Sequence, residues 1–132
     1  MNKRRVVVTG MGIISPVGND IASAWERVVK GVSGIGPVLH FDTSAYSTRI
    51  AGQVSGFDPA EWMPHKDIKK MDPFIHYGVA AGTQALRDSG LEITEANAPR
   101  IGAAVGAGIG GLYTIEATTL ELAAKGPRRV SP

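Results

Sequence analysis

The sequence predicts an α/β fold with a largely parallel sheet. Two observations carry this expectation. Apolar runs that close on glycine, Arg5-Val6-Val7-Val8-Thr9-Gly10 and Arg100-Ile101-Gly102-Ala103-Ala104-Val105-Gly106, have the composition of strands buried on both faces. Segments with apolar residues at helical spacing alternate with them, the order that layers helices over a parallel sheet.

The first run is followed by a loop, Ser15-Pro16-Val17-Gly18. Asn19 or Asp20 then caps a helix whose apolar positions are Ile21, Trp25, Val28 and Val29; it ends near Lys30, with Gly31 as a left-handed terminator. Residues 33–47 are turn-rich. Thr48 to Val54 is expected to be a second strand, with Gly52 marking a bulge or a close contact. Asp58-Pro59-Ala60-Glu61 has the form of a capped helical turn. Asp72-Pro73 repeats the device and opens a longer helix, lined on one side by Phe74, Tyr77, Gly78, Ala81, Ala85 and Leu86 and stopped at Ser89-Gly90. After the 100–106 run, a glycine cluster at 106–111 turns the chain into a helix from Leu112 to Ala124, before Gly126-Pro127.

Length and composition, 132 residues at 43% hydrophobic, fit one soluble globular unit. Fourteen Lys and Arg against 12 Asp and Glu leave a net charge of +2, too small an excess to mark a nucleic-acid binder. No window is apolar enough to span a membrane and no cleavable signal opens the chain, so a cytoplasmic protein is expected. The absence of cysteine excludes disulfides, thiolate metal sites and a thiol nucleophile within these residues.

Gly106, Gly108 and Gly111 match G-x-G-x-x-G between a predicted strand and a predicted helix, the arrangement that admits a dinucleotide pyrophosphate to a helix N-terminus. The acid expected about twenty residues on has no candidate, because Glu116 and Glu121 fall inside the helix. Thr9 to Ser15 approaches the same pattern but puts Ser15 in place of the third glycine. Both a nucleotide site and close backbone packing in another α/β fold remain open.

His40, His65 and His76 lack the spacing of a metal centre, and none is expected. Neither a Gly-x-Ser-x-Gly elbow nor a P-loop is present, and Ser15 and Ser131 have no adjacent base. Lys66, Lys69 and Lys70 share one side of a helical turn. They form either a solvated face or a contact for an acidic partner.

Taken together, Arg4 to Gly12 with Ser15-Pro16-Val17-Gly18, Ser33-Gly34-Ile35, His40 to Tyr46, Lys70-Met71-Asp72, Ala85 to Leu91, Arg100-Ile101-Gly102 with Gly106 to Gly111, and the ending Gly126 to Pro132 closely resemble β-ketoacyl-acyl-carrier-protein synthases. The resemblance runs through the whole chain and corresponds to the first part of the family's sequence. It implies a thiolase-like fold, of which residues 1–132 form an incomplete half, the first part of a βαβαβ unit. Such a piece is expected to be marginally stable or to associate when alone.

The implied reaction is a decarboxylating Claisen condensation at a cysteine nucleophile assisted by two histidines and a lysine. None of these maps onto this chain, so no catalytic residue and no cofactor are assigned, and no condensation by these residues alone is expected. The resemblance does carry over substrate recognition. Lys66, Lys69 and Lys70 match one basic cluster that meets acyl carrier protein, and Arg128 and Arg129 match a second. Gly108, Ile109 and Leu112 match the wall of the acyl pocket near a homodimer interface, with Ile109 at the position that gates chain entry. His65 within the first cluster is a departure from the family's pattern, from which some pH dependence of that surface is expected. The expected partners are acyl carrier protein, acyl and malonyl thioesters and, in the complete enzyme, a second copy. The competing readings are a dinucleotide-binding module and a non-catalytic subunit resembling a chain-length factor.

Overall fold

The computed structural model describes residues 3–130; Met1-Asn2 and Ser131-Pro132, the latter closing the 126–132 segment of the resemblance, lie outside them. In chain order the elements are helix α1 (Ile21–Val29), strand β1 (Ile35–Pro37), strand β2 (Ile50–Gly52), a tight turn at Pro59–Glu61, helix α2 (His65–Ile68), helix α3 (Pro73–Ser89), a turn at Ala98–Arg100, helix α4 (Leu112–Lys125) and a turn at Pro127–Arg129.

Local capping chemistry sets the helix ends. Asp20 caps α1, its carboxylate accepting from the Ser23 backbone N–H at 2.8 Å. That bond, then one from the Ser23 hydroxyl, holds the Asp20 carboxyl below its ordinary range. The cap therefore stabilises α1 above the usual carboxylate pKa and is lost as pH falls through the depressed value. Gly31 follows at φ 66°. The expected cap at Asp58 also forms, accepting from the Ala60 N–H at 2.8 Å. Helix α3 begins at Pro73 and ends before Gly90 at φ 62°, the boundaries expected from the sequence, but the expected side-chain cap at Asp72 does not form.

The sheet departs from that expectation. Among the described residues the one ladder is antiparallel, β1 with β2, in the register Ile35 to Gly52, Gly36 to Ala51 and Pro37 to Ile50. Residues 5–10 and 100–106 form no ladder, so the largely parallel sheet is not assembled here. A run buried on both faces needs neighbouring strands and covering helices, and these residues do not supply them: Val6 is 86% and Val105 81% exposed. The second strand is shorter than the expected 48–54, and its partner β1 lies in a segment expected to be turns. Gly52 is in close contact as anticipated, since a Cβ there would meet Pro16 Cγ at 3.0 Å.

Packing centres on α3. Ala80 and His76 on α3 and Ala24 on α1 are buried, while large apolar side chains such as Trp25, Val28 and Leu39 remain outside. The segment 10–13 lies along α3 through its glycines: a Cβ at Gly10 would strike the Ala85 carbonyl, and one at Gly12 the Ala81 carbonyl. Met11 N–H donates to the Asp88 carboxylate at 2.9 Å and Ile13 N–H to Gln84 Oε1 at 3.1 Å, fixing the same contact. Of the two readings of the Thr9–Ser15 pattern, close backbone packing is the one observed. Gly12→Ala is expected to destabilise the protein by about 2 kcal/mol, because a backbone carbonyl cannot move aside as a side chain can. Urea denaturation measures this, and an unchanged midpoint would count against the packing described. No helix among the described residues is long and apolar enough to cross a membrane.

Candidate functional site

The basic residues at 66–70 stand on a platform held to α3 from several directions. Phe57 meets Tyr77 edge-on at 5.1 Å, the Arg87 guanidinium lies 5.5 Å from the Trp62 ring centroid, and His76 Nε2 is 3.2 Å from the Ile68 carbonyl oxygen. The last contact gives the buried His76 a structural role. Lys66 lies within α2, Lys69 caps its end and Lys70 follows in a continuing turn whose N–H donates to the Asp67 carbonyl at 3.0 Å. All three lysines and His65 are exposed.

Arg128 and Arg129 are exposed on the turn beyond α4, where Gly126 at φ 77° redirects the chain. None of these five cations pairs with an acid among the described residues; the ion pairs present join Glu26 to Lys30 and Glu121 to Lys125. The two basic clusters are not brought together. They flank opposite ends of α4, whose 14 residues span about 21 Å at 1.5 Å per residue.

Gly108, Ile109 and Leu112 lie on the turn that enters α4. Gly108 has open space where a side chain would be, Ile109 is 70% exposed and Leu112 59%. These residues offer one surface, with no opposing wall among the described residues. Behind the turn, the Asp72 carboxylate accepts from the Thr114 hydroxyl at 2.7 Å and occupies the space of a Gly111 Cβ. The Phe74 ring lies 3.3 Å from where a Cβ at Gly110 would sit. A carboxylate at a helix N-terminus is favourable by roughly 0.3–1 kcal/mol. It also sets a negative charge where a pyrophosphate would have to approach, which speaks against the dinucleotide reading of Gly106 to Gly111.

Sequence reasoning gave Asp72 only as the cap of α3. The missed signal is the co-occurrence of an acid before α3 and a hydroxyl at 114 beside Gly110-Gly111, two positions 42 residues apart. No group of His, Asp or Glu side chains among the described residues is arranged to hold a metal ion. Ser15 is absorbed in a turn, its hydroxyl donating to the Gly18 carbonyl at 3.1 Å.

This architecture is that of ketosynthases. The ishigamide ketosynthase/chain length factor matches with a TM-score of 0.78 at 33% identity, over 98% of this chain and 32% of that one. A type II PKS ketosynthase in complex with its acyl-carrier protein, bound to the hexaketide, matches with a TM-score of 0.78 at 29% identity, over 98% of this chain and 33% of that one. The α/β, thiolase-like class expected from the sequence therefore holds. The family model of the beta-ketoacyl synthase N-terminal domain matches residues 3–132, and the chain belongs to that family. Among its relatives are proteins named 3-oxoacyl-[acyl-carrier-protein] synthase 2 from Vibrio harveyi, 61% identical, and Vibrio cholerae, 60% identical, each over all of this chain and 32% of the relative. One of the same name from Coxiella burnetii is 47% identical over the same shares. The chain thus spans about a third of the length of the curated relatives it matches.

Proposed function

We propose that these residues are the N-terminal part of an elongating 3-oxoacyl-[acyl-carrier-protein] synthase, supplying its carrier-docking surface and one wall of its acyl pocket. The observation that carries the reading is the 61% identity to such a synthase across every position of the chain. In the reaction proposed, an acyl group moves from carrier protein to the enzyme's nucleophile. Malonyl-carrier protein then loses CO2, and the resulting carbanion attacks the acyl carbonyl, forming the carbon–carbon bond and expelling the nucleophile. The protein would act as a cytoplasmic homodimer, without a cofactor or metal.

Docking is assigned to Lys66, Lys69, Lys70, Arg128 and Arg129. Five exposed cations without an acid partner among the described residues favour an acidic surface such as a carrier protein's, and the complex named for the polyketide ketosynthase supports the same kind of partner. The pocket wall is assigned to Gly108, Ile109 and Leu112, with Ile109 as the gate. The glycine lets backbone approach the acyl chain, and the branched apolar side chain beside it supplies a movable stopper. The names of the relatives favour a synthase over a subunit resembling a chain-length factor.

The test is a full-length protein carrying these residues, supplied with acyl- and malonyl-carrier protein. Release of CO2 with a lengthened acyl product is expected; a folded protein that gives neither, or that titrates with NAD(P), overturns the reading. Within that protein, Ile109→Phe is expected to lower kcat/KM about tenfold for long acyl donors while leaving malonyl decarboxylation unchanged, since an oversized side chain obstructs only the chain that must pass it. Equal losses at every chain length would remove Ile109 from the gate.

A further inference from the structure

The stretch between the basic platform and the pocket turn contains one acid that neither role explains. Asp72 stands immediately before α3, yet its side chain makes no capping bond to that helix. It reaches across to α4 instead. One carboxylate oxygen accepts from Thr114 Oγ1 at 2.7 Å, and the other fills the recess left by the missing side chain of Gly111. The same stretch is anchored at its other end, where the carbonyl of Ile68 meets His76 on α3 at 3.2 Å. Lys69 and Lys70 therefore sit between two fixed points, and the second of these is also the rear support of the turn that bears Ile109.

We propose that Asp72 is a positioning residue for acyl-chain selection, fixing the 108–112 turn, and Ile109 with it, by bonding Thr114 and filling the recess at Gly111. The inference depends on the assignment of Ile109 as the gate. A carboxylate suits both tasks at once: one oxygen takes the hydroxyl proton's hydrogen bond while the other packs over glycine backbone. Asparagine preserves the shape and one acceptor. Leucine preserves only bulk. With the tie absent, Ile109 has little else to hold it among the described residues, being 70% exposed, so discrimination between long and short acyl chains falls.

The experiment uses a full-length synthase carrying these residues and compares Thr114→Val, Asp72→Leu, Asp72→Asn and Ile109→Phe. It measures kcat/KM with long- and short-chain acyl-carrier proteins beside the rate of malonyl decarboxylation. Thr114→Val and Asp72→Leu are each expected to reduce the long-to-short preference about fivefold, the factor one such hydrogen bond supports, with decarboxylation unchanged. A variant combining Thr114→Val with Asp72→Leu is expected to match the singles, because both remove the same tie. Asp72→Asn is expected to restore the preference to within about twofold of the parent. Thr114 is exposed, so its valine variant tests the tie without endangering the fold. An unchanged preference in Thr114→Val, with Ile109→Phe still selective by chain length, overturns the role of Asp72 and leaves the gate standing. Uniform losses at all chain lengths reduce Asp72 to a stabilising contact. If Ile109→Phe itself shows no selectivity, the gate assignment fails and this inference fails with it.

Discussion

No condensation is expected from these 132 residues on their own when they are supplied with acyl- and malonyl-carrier protein. The reaction proposed for the complete enzyme needs a nucleophile that carries the acyl group and a group that assists loss of CO2. The chain contains no cysteine. Its histidines do not converge either: His76 is buried against the Ile68 carbonyl, while His40 and His65 are exposed on separate segments. Ser15 donates its hydroxyl into its own turn. Without a nucleophile beside a base, neither acyl transfer nor carbanion capture has an acceptor. The measurement is lengthened product against a no-enzyme control, and any excess over that control defeats the expectation.

Charge reversal at both basic clusters is expected to have the next largest effect. In a full-length synthase carrying these residues, Lys69→Glu and Arg129→Glu should each weaken carrier-protein binding about tenfold at low salt, and together about a hundredfold. Near-additivity follows from separation: the clusters flank the ends of α4, about 21 Å apart by its 14-residue length, well beyond the range at which sites usually couple. The losses should shrink as salt shortens the Debye length toward roughly 3 Å near 1 M, because Lys69 and Arg129 are exposed charges. Fluorescence titration at two ionic strengths measures both features. Unchanged affinity at low salt would remove the patches from the docking surface.

Helix boundaries were legible because their determinants are local. Asp20 caps α1 through a residue three positions away, and Gly90 ends α3 by adopting a left-handed conformation that glycine tolerates without strain. The sheet was less legible because pairing is decided elsewhere in the chain. Val6 to Val8 have strand composition, yet a strand becomes a ladder only beside a partner, and the described residues provide none. Conversely, Ile35-Gly36-Pro37 lacks any local strand signal and pairs only because β2 comes alongside. The candidate site divides in the same way. That Lys66, Lys69 and Lys70 lie close together, as do Arg128 and Arg129, follows from their nearness in the chain, whereas the bond from Thr114 to Asp72 joins elements that only the tertiary fold places together.

The scarcity of buried side chains bears on how these residues could be exchanged between related synthases. Among the described residues, Ala24 and Ala80 are the only buried apolar ones, while Val6, Trp25, Val28 and Val105 turn their surfaces outward. A domain with its own core can be transplanted and keep its shape; this segment carries mostly one side of each contact it needs. Recombination that joins it to a foreign remainder must therefore match side-chain volumes along a long apolar seam.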